Sequence, residues 1–276
     1  MSSQLTGVLH RGLVDPDTPL LRADDPGVVR GDGVFESIRW HDGRLDALDA
    51  HLSRLAASAA ALELPPPDLP AWRTLVAQLS EAWTGGEAAV RLFITRRPSE
   101  FAIMAPIEPS VVRQRREGAK VITLSRGMPA NAHEAAPWLL GGAKTTSYAI
   151  NMAAIRYARA HGADDAVFVT TDGLILEAPT ATVVWAVGGT LCTPPTELGI
   201  LRSTTLGTLF DAAPAHGFST KVMTSTVEDL HAADGVWLVS SMRCAVAVTS
   251  IDGVSRSDGG LTARVQAAAG LQTSGE

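Results

Sequence analysis

Cysteine is scarce: the chain of 276 residues has two, Cys192 and Cys244. They form neither a disulfide framework nor a CxxC or zinc pattern, so no metal is expected and the reading is two reduced thiols in a cytoplasmic protein. Long apolar runs are missing too. No stretch approaches the roughly 20 apolar residues of a membrane span, and Met1-Ser2-Ser3-Gln4-Leu5 lacks the basic and apolar regions of a secretory leader. A cytoplasmic location with no membrane partner is therefore expected. Excess positive charge is absent: 23 Lys and Arg stand against 29 Asp and Glu, for a net charge of −6. A nucleic-acid partner is disfavoured, and a small anionic ligand would need a local pocket of arginines. No internal repeat of fixed period is visible. What is present is 46% hydrophobic and 19% charged. That is enough apolar side chain for a sizeable core, in one large or two modest domains.

Val34-Phe35-Glu36-Ser37-Ile38-Arg39-Trp40 alternates like a strand and runs into a turn at His41-Asp42-Gly43-Arg44. Asp49 reads as the N-cap of a helix over about 50–62, stopped by Pro65-Pro66-Pro67. A second helix is expected over about 69–83, then strands over 88–95 and 101–106. Pro106–Glu117 is short, contains prolines and carries Arg113, Arg115 and Arg116. It reads as a linker with a solvated basic face. The expected division is a small N-terminal α+β domain (1–107), a linker (108–117) and a larger mixed-sheet domain (118–276).

In that second part Val121-Ile122-Thr123-Leu124 reads as a strand. A helix over 147–161 should end at Gly162, and Asp165–Thr170 should form a hairpin with Leu174–Glu177. Strands near 182–187, 190–193, 219–224, 235–240 and 245–251 and a helix over 203–217 complete it. The last fifteen or so residues are small and polar and read as frayed.

Several residues are candidates for chemistry. Lys144 lies in Gly141-Gly142-Ala143-Lys144-Thr145-Thr146-Ser147-Tyr148, a loop of small residues before a helix. The spacing is not that of a phosphate-binding GxxxxGK[ST] loop. A lysine that condenses with a carbonyl must be partly desolvated, and this sequence permits that. Glu177 ends the hairpin. Leu201-Arg202-Ser203-Thr204-Thr205 opens a helix, where backbone N–H groups and hydroxyls suit a phosphate, although Ser203 as a plain cap is an equal reading. Arg54, in His51-Leu52-Ser53-Arg54-Leu55, is either a helix-face charge or a phosphate-binding fork. Ser240 and Ser241 end an apolar strand, where hydroxyl pairs serve anion sites and turns alike.

Taken in order, these pieces resemble the class IV pyridoxal-phosphate enzymes, a family of branched-chain and D-amino-acid aminotransferases and aminodeoxychorismate lyases. The resemblance runs from about Arg30 to Gly253. It rests on Arg30-Gly31-Asp32-Gly33-Val34-Phe35-Glu36, His51-Leu52-Ser53-Arg54-Leu55, Lys144 with Tyr148, Gly162-Ala163-Asp164-Asp165-Ala166, Glu177, and Gly199-Ile200-Leu201 leading into Thr204-Thr205. It implies the two-domain D-amino-acid-aminotransferase-like fold, pyridoxal 5'-phosphate as cofactor, a small-molecule amino substrate and a homodimer. By the same resemblance Lys144 holds the cofactor covalently and carries protons at the reacting carbon. Glu177 pairs with the pyridine nitrogen, keeping the ring an electron sink. Arg54, Thr204, Thr205 and Ser241 hold the phosphate with Ser240 close by, Tyr148 lies near the phenolic oxygen, and Leu201 joins the cofactor-binding set. Two places depart from the common pattern. Thr180-Ala181-Thr182 stands where many members have asparagine, and Ser203-Thr204-Thr205-Leu206 where many have Gly-Ile-Thr-Arg.

Within the family, Lys144–Met152 and Leu238–Arg243 are most similar to aminodeoxychorismate lyases of actinobacterial type. That resemblance implies conversion of 4-amino-4-deoxychorismate to 4-aminobenzoate and pyruvate in folate synthesis. Two substrate carboxylates would need cations, and Arg30, Arg96 and Arg243 are the candidates. A D-amino-acid or branched-chain aminotransferase is the alternative, and a noncatalytic cofactor-binding relic a third, which intact Lys144 and Glu177 oppose.

Overall fold

A computed structural model describes residues 4–271 and divides the chain into two compact units. The first comprises the chain up to Glu108 together with Ala143–Tyr148; the second comprises Pro109–Gly142 and the chain from Ala149 on.

The first unit contains β1 (Leu5–Val8), β2 (Gly12–Val14), α1 (Pro26–Val29), β3 (Gly33–His41), β4 (Arg44–Leu45), α2 (Leu48–Ala61), α3 (Leu69–Ala82), β5 (Ala88–Thr95) and β6 (Glu100–Pro106). Its antiparallel sheet has the order β2-β1-β6-β5-β3-β4. Alternation along β3 works as its sequence suggests. Val34, Glu36, Ile38 and Trp40 are buried on one face, packed toward α2, while Phe35 lies on the other. Leu52, Leu55 and Ala59 of α2 and Trp72, Leu75, Val76 and Leu79 of α3 complete the core. Fully burying each of the leucines contributes about 1.5–3 kcal/mol. The turn after β3 uses Asp42 (φ 48) and Gly43 (φ 75), the left-handed pair of a tight hairpin. One cap differs from expectation. Helix α2 starts after Ala47, itself left-handed at φ 47 and without a side-chain cap; Asp49 lies inside the first turn and pairs with Arg73. Asp49 still sits where a negative charge suits the helix dipole.

The second unit contains α4 (Pro109–Glu117), β7 (Ala119–Ser125), α5 (Ala132–Ala135), α6 (Ala149–Ala160), β8 (Asp165–Val169), β9 (Thr182–Val187), β10 (Thr190–Thr193), α7 (Thr204–Ala212), β11 (Ser219–Val222), α8 (Val227–Ala232), β12 (Gly235–Ser240), β13 (Cys244–Ile251), β14 (Val254–Ser255) and α9 (Thr262–Ala268). Its mixed sheet runs β11-β10-β9-β12-β13-β7-β8, with β14 paired to β13. Both faces are covered: Val183, Trp185, Val236 and Leu238 pack into one cluster, Val184, Ala186, Trp237 and Val239 into another. This is why these strands read as continuous apolar runs.

Three expectations are corrected here. The segment read as a linker is helix α4, packed on β13, with Arg115 buried. The segment Ala143–Tyr148 belongs to the first unit. The stretch read as a frayed end contains α9, whose Val265 and Ala268 are buried; residues 272–276 lie outside the described residues, as do residues 1–3. No described helix is long and apolar enough to cross a membrane, and the described residues hold no cluster of metal-ligating side chains.

Candidate active site

Lys144 is positioned by backbone pairing with β3. Its carbonyl accepts from Phe35 N at 3.1 Å, Thr146 N donates to Gly33 O at 2.8 Å, and Val34 and Thr145 form an antiparallel bridge. Because β5 takes one edge of β3 along its length, residues 144–146 occupy the other edge, which β4 takes at the far end of the strand. Lys144 N also donates to Ser58 Oγ of α2 at 3.1 Å. The turn below is glycine-dependent. Gly31 has φ 67, and its carbonyl accepts from Thr146 Oγ1 and Ser147 Oγ, each at 2.9 Å. A Cβ on Gly31 would lie 2.7 Å from Ser147 Oγ and 3.0 Å from its Cα.

The half-buried Lys144 side chain lies among aromatic rings. Its Nζ is 4.3 Å from the centre of Phe35 and 5.7 Å from that of Tyr148. Tyr148 packs edge-on against Phe35 with centroids 5.2 Å apart, and Phe35 stacks on Phe93 across β3 and β5. An amine in this setting is partly stripped of water, as a reactive lysine requires.

On the core face of β3, Glu36 is fully buried. It accepts from Arg54 Nε (2.7 Å), Arg54 Nη2 (2.8 Å) and His51 Nδ1 (2.7 Å). Burial alone would push its pKa up, but the hydrogen bonds from Arg54 and His51 outweigh this and hold it at about 2. His51 is displaced downward, by burial first and by the charges of Arg54 and Lys144, against the pull of Glu36. Neutral His51 facing a carboxylate must carry its proton on Nδ1. His51, Arg54 and Ser58 lie at i, i+3 and i+7, one stripe of α2. Sequence reasoning singled out Arg54 but assigned no role to Glu36, His51 or Ser58. Glu36 in register with Val34, Ile38 and Trp40, opposite that stripe, was the available signal.

In the second unit the expected hairpin after β8 forms without becoming a regular strand. Leu176 N donates to Phe168 O and Phe168 N to Glu177 O, each at 2.9 Å, around Gly173 at φ 86. Glu177 Oε2 accepts from Leu201 N at 3.2 Å. Ser203 caps α7, its Oγ accepting from Leu206 N at 3.1 Å. Thr204 and Thr205 form the first turn, and Thr205 Oγ1 lies 3.4 Å from Ser241 Oγ in the β12–β13 loop that Ser240 opens. Cap and anion cradle are thus compatible here: Ser203 Oγ takes the Leu206 N–H, and the hydroxyls of Thr205 and Ser241 lie at the helix start. Upstream, His133 is wedged against Gly141 and Gly199, where a Cβ would lie 2.5 Å and 1.9 Å from its ring.

The three arginines expected to meet substrate carboxylates are placed differently from one another. Arg96 is engaged: Nε and Nη2 donate to Asp32 at 3.0 and 3.1 Å, Nη1 to Glu63 O at 2.9 Å and Nη2 to Leu62 O at 2.6 Å. Arg243 is buried, with Nη2 on Asp165 Oδ2 at 2.5 Å. Both are held by partners within their own units. Arg30 is exposed at the C-cap of α1, next to Gly31, and its side chain has no partner among the described residues.

Comparison with known proteins shows the family. The family model described as amino-transferase class IV matches residues 33–251. A bifunctional aminodeoxychorismate lyase / D-amino acid transaminase from Mycobacterium tuberculosis is 44% identical over 257 residues, covering 87% of this chain and 89% of its own. Among solved structures, a hypothetical aminotransferase from Mycobacterium tuberculosis in its PLP-bound form superposes with a TM-score of 0.92 at 42% identity, covering 96% of this chain and 98% of that one. A fold IV-transaminase from Curtobacterium pusillum gives 0.91 at 39%, covering 98% and 99%.

Proposed function

The chain belongs to the class IV amino-transferase family, with pyridoxal phosphate as its cofactor, and from that premise we propose that it is an aminodeoxychorismate lyase, releasing 4-aminobenzoate and pyruvate from 4-amino-4-deoxychorismate. The observation that carries this reading is the 44% identity, over 87% of the chain, to a protein named for that lyase activity. The same name favours a second reading, D-amino acid transamination on the same residues. Fold alone does not separate the two.

The donor set suits the cofactor. Lys144 offers an amine beside aromatic rings. Glu177 offers a carboxylate with one oxygen fixed by Leu201 N, and Thr204, Thr205 and Ser241 offer hydroxyls at a helix start. When bound, pyridoxal phosphate supplies a carbonyl that captures the substrate amine and a ring that accepts an electron pair. Lys144 would hold the cofactor and take the proton from the amine-bearing carbon. Glu177 would keep a proton at the pyridine nitrogen. Arg54, Thr204, Thr205, Ser240 and Ser241 would hold the phosphate, and Tyr148 would lie near the phenolic oxygen. As the enolpyruvyl group leaves, one proton is lost from the ring and one is gained by the three-carbon product, so no water is consumed. A homodimer is part of the same reading.

The test is direct: purified protein loaded with cofactor is given enzymatically generated aminodeoxychorismate, and 4-aminobenzoate is measured by fluorescence. Steady release supports the lyase. No release, with transfer of an amino group from D-alanine to 2-oxoglutarate, would replace it with the second reading. Of the three arginines proposed for the substrate carboxylates, Arg30 is the exposed one at the C-cap of α1. Arg30→Gln is expected to raise KM for aminodeoxychorismate roughly tenfold, the loss of about 1.4 kcal/mol of binding, with little change in kcat. Unchanged KM in steady-state kinetics would remove Arg30 from the site.

A further inference from the structure

Ser240 and Cys244 pair across β12 and β13, leaving Ser241, Met242 and Arg243 as the loop and Cys244 in the left-handed region at φ 55. Three other elements hold this loop. From α4, Arg115 directs Nε (3.0 Å) and Nη2 onto Met242 O. From α9, Gln266 Nε2 donates to Arg115 O at 2.6 Å and to Ala245 O at 3.1 Å. From β8, Asp165 receives Arg243. Arg115 and Gln266 are 8% and 7% exposed, so the clamp is internal. Ser241, one residue before the clamped carbonyl, points its hydroxyl toward Thr205.

We infer that Arg115 is a positioning residue for the cofactor's phosphate: by gripping Met242 O it fixes the loop that presents Ser241 to the start of α7. This rests on the reading that Thr204, Thr205 and Ser241 hold the phosphate. Desolvating a guanidinium is costly, and a neutral donor could hold a loop carbonyl at less cost. Arginine adds a two-pronged grip, which fixes direction as well as distance, and a positive charge behind a loop that faces an anion.

The measurement is the affinity of the full chain, stripped of cofactor and reloaded, for pyridoxal phosphate and separately for pyridoxal, which lacks the phosphate. Arg115→Met is expected to weaken pyridoxal phosphate at least tenfold and to leave pyridoxal within twofold. Gln266→Leu should act in the same direction less strongly. Arg113→Met, on the same helix but exposed, should change neither. If Arg115→Met does not fold, Arg115→Lys carries the test, since it keeps the charge and loses the fork; a severalfold loss of phosphate selectivity is expected. Equal weakening of both ligands, or no change in either in a folded variant, would overturn the inference. Thr205→Ala combined with Ser241→Ala separates the two levels. If that double variant keeps wild-type selectivity for pyridoxal phosphate, the phosphate reading itself falls and the inference with it. If it loses selectivity while the Arg115 variants keep it, the positioning role alone is wrong.

Discussion

Lys144→Ala is expected to lower turnover by roughly 10³-fold or more, the scale on which a positioned proton carrier and nucleophile contributes. The structure makes this a clean experiment. The segment is held by its backbone, through Lys144 N on Ser58 Oγ and Lys144 O on Phe35 N, so truncating the side chain leaves both bonds in place. Thermal stability should therefore change little while 4-aminobenzoate formation and the covalent cofactor's visible absorbance are lost together. Lys144→Arg should be equally inactive, since a guanidinium keeps the charge but does not give up its proton. Partial recovery of turnover in Lys144→Ala by added methylamine would assign the loss to the missing amine. An alanine variant retaining absorbance and activity would remove Lys144 from the chemistry.

The largest effect on stability is expected at Glu36. Glu36→Ala leaves buried His51 and half-buried Arg54 without their shared acceptor, and breaking a buried charged pair in this way costs about 3–5 kcal/mol. At roughly 2–4 °C per kcal/mol for a chain of this size, melting should fall by about 6–20 °C. The pH dependence follows from two groups with the same sign. Glu36 has a folded pKa of about 2 against an ordinary 4.5. Its contribution, about 3 kcal/mol, is complete above pH 4.5 and is lost as pH falls toward 2. His51 is displaced below its ordinary 6.5, so the unfolded chain takes up the proton first and stability declines as pH drops below that value. Melting curves from pH 8 to pH 3 should show the wild type losing stability in both ranges. Glu36→Gln should lose the lower of the two declines relative to wild type. Parallel wild-type and variant curves below pH 4.5 would contradict the assignment of a low carboxylate pKa to Glu36.

Much of this protein was legible locally. Alternation over Val34–Trp40 marked β3, Asp42-Gly43 marked its turn, Gly162 marked the end of α6, and Ser203 marked the start of α7. The ordered set from Arg30 to Gly253 pointed to the family that the comparisons show. These signals are periods, caps and turns, set by residues a few positions apart. What tertiary structure decided is of another kind. Lys144 joins the first unit because its backbone pairs with an edge of β3 more than a hundred residues earlier. Arg96 and Arg243, indistinguishable in sequence from free substrate-binding arginines, are committed to Asp32 and Asp165. Arg115 looks like one of several surface charges until Met242 and Gln266, from far along the chain, close around it. The local sequence sets which elements can form; which arginine keeps its charge in water and which is buried depends on the partners that folding brings to it, because a buried ion is stable only where an acceptor or opposite charge arrives to replace the water it gave up.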